Sequence, residues 1–299
     1  IAYVGAVKAL EEKKLLQNIE NIAGTSVGAI TAALLCVGYT ADELEKELSS
    51  IKFQKFNDGR GIFFGGFYRV SKKYGWYRGE KITDWINALL HKKTSINDIT
   101  FQQLFELTQK DKKYKNLYVT ATNLSKQNWQ TLNYKTFPQM RIADALRISA
   151  SIPIYYTAIF MAEDGTLYNK PQKNVKTSIM ADGGFLANYP IHLFDDVYDK
   201  SETLGLRLDS DNQINHNDST KYELAPYEIN DFRDYIGAFY TLVLESLNRI
   251  ELTEDDWKRS VFISTCNIGP KVKKLKKSEV DILVESGYKA TLEYLSKIE

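Results

Sequence analysis

Histidine, cysteine and proline are scarce in this chain of 299 residues, with 3 His, 2 Cys and 6 Pro. Cys36 and Cys266 lie far apart and form no metal or redox motif, which fits a reducing compartment or indifference to redox state. Excess charge is also missing. Lys+Arg 39 against Asp+Glu 38 leaves a formal net charge of +1, without the basic footprint that nucleic-acid binding requires. No apolar run approaches the ~20 residues of a membrane-spanning helix; the longest, residues 29–37, is punctuated by Thr31 and ends at Gly38. No Pro/Gly/Ser-rich linker and no internal repeat divides the chain, so a single domain over residues 1–299 is expected. It opens at Ile1 without methionine, inside a helical pattern, and further sequence is expected upstream; a signal peptide there is beyond reach.

What is present alternates between two periodicities. Val4, Val7, Leu10 and Leu15 have amphipathic helical spacing. A short buried strand is expected over residues 19–23, then a helix over 29–37 closed by Gly38. Thr40 and Glu43 read as a capping box for a third helix. Residues 82–90, 101–107, 142–148, 229–250 and 278–296 read as helices, and 117–122, 178–181, 203–208 and 261–265 as strands. The helix over 142–148 should stop at Ser151-Ile152-Pro153, because proline disfavours helix in the residue before it. Strands alternating with helices predict an α/β fold, a three-layer α/β/α sandwich on a mostly parallel sheet.

One stretch poses a chemical question. Gly24-Thr25-Ser26-Val27-Gly28 has G-x-S-x-G spacing between the first strand and a helix of small residues. A sharp strand-to-helix turn holds a serine Oγ clear of the backbone, and the flanking glycines Gly24 and Gly28 let neighbouring segments pass close by. The following helix aims its first amides at the spot where an oxyanion would develop. The bland alternative is a glycine loop with Ser26 as a simple N-cap. The motif alone divides these two evenly.

A serine hydroxyl needs a base. His91 ends a helix ahead of Lys92 and Lys93 and reads as structural, while His216 falls in a polar stretch, residues 209–220, that reads as a solvated loop. His192 could serve, and the order Ser26, Asp182, His192 matches the Ser…Asp…His order of α/β-hydrolases. Asp182 is the stronger candidate. It sits at a strand end before Gly183 and Gly184, on a turn that lets its carboxylate approach another loop. A calcium loop starting at Asp209 is rejected, because Ile214 replaces the required glycine and no glutamate closes it.

GTSVG at 24–28 paired with DGG at 182–184 resembles the patatin-like phospholipases. So do IAYVGAVKALEE at the start, KKYGWYRGEKITDWINALL, LYVTATNLSKQNWQTL, ADALRISASIPIYYTAI, ADGGFLANYPI and VDILVESGYKATLEYL, in the family's order and over nearly the whole chain. The resemblance implies a Ser–Asp pair in place of a triad, with Ser26 as nucleophile and Asp182 as base. It implies the Val27 amide as one oxyanion donor, with further donors from a G-G-x-[RK]-G loop expected upstream of Ile1. Acyl transfer to Ser26 and hydrolysis of the acyl-enzyme would follow, on phospholipid or other lipid esters, with no metal or organic cofactor. The rival readings are a lipid-binding scaffold on the same fold and a lipid acyltransferase.

Two features bear on membranes. Residues 53–77 hold nine aromatics, among them Phe53, Phe56, Phe63 and Trp76, which read either as packing over a sheet edge or as an interfacial patch. The run Lys271 to Lys277 reads as a solvated face or as a contact for anionic lipid. Peripheral membrane contact and a cytoplasmic or membrane-peripheral location are the corresponding expectations. Richness in Lys, Asn and Tyr hints at an AT-rich, bacterial genome.

Overall fold

The buried strand Asn116–Asn123 organises the part of the molecule that holds Ser26 and Asp182. The structure, a computed structural model, describes residues 1–51, 56, 58, 64–217, 223–249, 252–268 and 274–298. Phe53 and Phe63 of the aromatic stretch and residues 271–273 of the basic run lie outside them. The chain divides into two compact units. One comprises Gln17–Tyr39 and Ile51–Ala187, the other Ile1–Leu16, Thr40–Ser50 and Asn188–Glu299. Each unit is discontinuous in sequence, so no linker composition marks the division.

The strands of the first unit are β1 (Asn21–Gly24), β2 (Gly75–Tyr77), β3 (Asn116–Asn123), β4 (Asn128–Leu132), β5 (Ile154–Tyr156), β6 (Ile159–Ala162), β7 (Leu167–Tyr168) and β8 (Thr177–Asp182). The main sheet runs β1-β3-β8-β6-β7, with β4 also on β3. β1 lies parallel to the first half of β3, whereas the β3–β4 hairpin and the β8 and β6 pairings are antiparallel. A separate parallel pair joins β2 to β5. Helices pack on this sheet, as the α/β class requires; among them are Val27–Cys36 and Ile142–Ser149. The register has a consequence for the site. Gly24 stands opposite Val119 and Asp182 opposite Ala121, so β3 brings the ends of β1 and β8 to positions two residues apart, about 7 Å along a strand.

In the second unit, β9 (Gly205–Asp209) and β10 (Ser260–Ser264) pair in parallel. Val261 and Ile263 of β10 pack with Ala2, Ala6 and Leu283 from the helices Ala2–Glu12 and Lys277–Ile298. The capping box expected at Thr40 and Glu43 is present and starts the helix Ala41–Ser49. The polar stretch from Asp209 is not a solvated loop. Asp209 is buried between Arg207 and Arg249 at 3.1 and 3.0 Å. Residues Asp211–Asn217, with His216, are helical. Local polarity mimics a loop here because one charge partner of Asp209 lies 40 residues away.

Gly5 and Gly287 set how closely the helices Ala2–Glu12 and Lys277–Ile298 approach. A Cβ on Gly5 would overlap the Val284 carbonyl, and one on Gly287 the Ala2 carbonyl. Gly5→Leu is therefore expected to lower stability by about 2 kcal/mol through overpacking, read as a reduced urea midpoint with an unchanged slope. Among the described residues, no helix is long and apolar enough to cross a membrane.

Candidate active site

Strand β1 ends at Gly24, and within two residues the backbone turns into the helix Val27–Cys36. Ser26 occupies the corner at φ 52° and ψ −123°, a conformation that is costly for any residue other than glycine. The turn is tight enough to exclude a side chain at Gly24. A Cβ on Gly24 would stand 2.6 Å from both the Ala29 Cα and the Gly28 carbonyl oxygen, so only glycine fits. Val27, half exposed, begins the helix, and its amide has no intrahelical acceptor.

The Ser26 hydroxyl donates to Asp182 Oδ2 at 2.8 Å. Asp182 is the last residue of β8, and its second oxygen, Oδ1, accepts the Gly184 N–H at 2.8 Å. Gly183 has no room for a side chain, since a Cβ there would sit 2.5 Å from the Thr120 carbonyl oxygen. Asp182 is 5% exposed, and this burial raises the pKa of its carboxyl from 3.8 to about 6. The hydrogen bonds from Gly184 and Ser26 oppose the rise, because they favour the ionised form. A carboxylate titrating near 6 is ionised at neutral pH and still basic enough to take a proton.

Sequence reasoning attached no role to several residues that hold these two in place. Ser149, fully buried, accepts the Ser26 N–H on its Oγ at 2.9 Å. The Ser151 carbonyl accepts the Asp182 N–H at 3.0 Å. The Thr25 hydroxyl bonds the Thr120 hydroxyl and the Ala187 carbonyl, each at 2.6 Å, and Thr122 donates to the Asp182 carbonyl at 2.8 Å. Beneath Ser151 lies the buried Arg147, which donates to the Ser151 hydroxyl and, at 2.6 Å, to the Arg78 carbonyl. Burial lowers its pKa to about 10. The signal for this group was the alternation Arg147-x-Ser149-x-Ser151, polar residues at and just beyond the end of the helix Ile142–Ser149.

His91 lies in the last turn of the helix Glu80–Thr94, and His192 Nε2 sits 2.6 Å from Asp256 Oδ2 in the second unit. His192, Asp195 and Asp256 bring their ligand atoms within 4.8 Å of one another. Arg259 already occupies that cluster, with bonds of 2.6 and 2.8 Å to Asp195 and 2.6 Å to Asp256. A cation would have to displace that guanidinium.

The chain is similar to several known proteins. The chain is 29% identical over 299 residues to an uncharacterized protein, R571, of Acanthamoeba polyphaga mimivirus, covering 99% of this chain and 90% of that one. It is 29% identical over 192 residues to the probable lipid hydrolase 463L of Invertebrate iridescent virus 6, covering 64% of this chain and 57% of that one. The structure of VipD from Legionella pneumophila superimposes with a TM-score of 0.59 at 17% identity, over 99% of this chain and 64% of VipD, a likeness of fold. Relatives come from viruses as well as from Bacillus subtilis, so the bacterial origin hinted at by composition gains no support from them. The patatin-like phospholipase family model matches residues 1–195, and the chain belongs to that family.

Proposed function

We propose that this protein is a serine lipid acyl hydrolase of the phospholipase A type, acting through Ser26 and Asp182. The observation that carries this reading is the 2.8 Å hydrogen bond from the Ser26 hydroxyl to a buried carboxylate with a pKa raised to about 6. Asp182 takes the Oγ proton as Ser26 attacks the ester carbonyl, and the Val27 amide stabilises the oxyanion. The proton passes to the departing alcohol oxygen, leaving an acyl-enzyme on Ser26. Water then attacks the acyl carbon, gives its proton to Asp182, and Asp182 returns it to Oγ as the fatty acid leaves. The scheme draws on no cofactor. The fold likeness over 99% of the chain supports treating residues 1–299 as one patatin-like domain. A lipid substrate supports action at a membrane periphery.

Incubation with phosphatidylcholine vesicles, followed by mass spectrometry of the lipids, tests the reading. Free fatty acid and lysophospholipid in equal amounts are expected, together with fluorophosphonate labelling of Ser26. Transfer of the acyl group to an added alcohol without free fatty acid would make the protein an acyltransferase. Neither product nor label would leave a lipid-binding scaffold.

A further inference from the structure

Nucleophile and base come from segments 156 residues apart, and the short stretch Ser149–Ser151 contacts the backbone of both. It ends the helix Ile142–Ser149, where Pro153 follows and the helix cannot continue. Three acceptors project from it. The Ser149 hydroxyl takes the Ser26 N–H at 2.9 Å, the Ser151 carbonyl takes the Asp182 N–H at 3.0 Å, and the Ser149 carbonyl takes the Gly183 N–H at 3.4 Å. The two carbonyls belong to the backbone and survive any substitution. The hydroxyl does not.

We propose that Ser149 is a positioning residue for the reaction, its hydroxyl holding the Ser26 backbone in the strained corner from which Oγ reaches Asp182. The proposal rests on the Ser26–Asp182 reading. Ser26 stands at φ 52° without the freedom of glycine, and a strained conformation persists only where its surroundings over-determine it. Gly24 permits the turn sterically, but the side-chain bond that restrains the Ser26 amide comes from Ser149. The same bond occupies the Ser26 N–H, which leaves the Val27 amide to face an oxyanion. Ser149 makes no hydrogen bond to the Asp182 carboxylate, so it acts on the direction of attack and not on the base.

Ser149→Ala tests this, with kcat and KM measured on a soluble ester and normalised to folded protein. The expected result is a kcat lowered about 100-fold, the scale set by a misplacement of about 1 Å. KM should stay within about twofold, fluorophosphonate labelling should slow in parallel, and the acid limb of the pH profile should not move. Ser149→Thr, which restores the hydroxyl, should recover most of the rate. If the added methyl prevents folding, Ser149→Cys, close in size but a weak acceptor, should fall between serine and alanine. A Gly5→Ala variant destabilised in the other unit serves as the control and should keep its kcat per folded molecule. An unchanged kcat in Ser149→Ala, or a loss that follows stability alone, overturns the positioning role. Retention of activity in Ser26→Ala would instead sink the reading on which it rests.

Discussion

Ser26→Ala is expected to lower ester hydrolysis by roughly 10⁴-fold or more and to abolish fluorophosphonate labelling, while the fold is kept. Removing a nucleophile costs far more than removing any single hydrogen-bond donor, because the reaction loses its covalent path and the remaining groups cannot act separately. The structural cost is small. The hydroxyl makes one hydrogen bond, to Asp182, and the backbone bond to Ser149 survives the substitution. Alanine is also left at φ 52°, a strain already present in the parent. Activity against vesicles and a thermal melt, run on the same preparation, separate the two effects. Substantial hydrolysis by a well-folded Ser26→Ala would reject the nucleophile.

Asp182→Asn should lose activity comparably and yet gain stability near neutral pH. The carboxyl ionises near 6 in the fold and at 3.8 in its ordinary state, so in the range between these values the folded protein binds more protons than the unfolded chain. Stability linked to this residue is fully present below 3.8 and is lost as pH rises through about 6. At pH 7 the buried charge therefore costs on the order of 2–3 kcal/mol, which an uncharged amide of the same shape removes. The urea midpoint of Asp182→Asn should exceed that of the parent at pH 7, and the difference should vanish below pH ~4. For the parent enzyme, kcat/KM should fall about tenfold per pH unit below about 6, as the base becomes protonated. A variant less stable than the parent at pH 7, or a flat acid profile, would show that burial does not tune this carboxylate. Loss of activity in His192→Ala with Asp182→Asn still active would move the base to the histidine, which the structure places against Asp256.

The α/β class, the order of the main elements and the two residues of the Ser26–Asp182 hydrogen bond were legible in the sequence, because each depends on local chemistry. Apolar runs such as Leu117 to Thr122 specify a buried strand wherever they occur. Gly24 and Gly183 mark turns that no other residue could occupy. Thr40 with Glu43 caps a helix across three residues. Pairing decided the rest. The burial of Asp209 depends on Arg249, 40 positions away, and local polarity therefore misread that stretch as solvated. Ser149 looked like one small residue in a helix end, and only the packing of that end against the turn after β1 gives its hydroxyl the Ser26 amide. The partner of the Ser26 hydroxyl followed the same logic. Sequence order left Asp182 and His192 both open, whereas β3 aligns Gly24 and Asp182 two residues apart and closes the gap to a 2.8 Å hydrogen bond. A sequence determines what each segment can become, and the register between strands far apart in the chain determines which side chains meet.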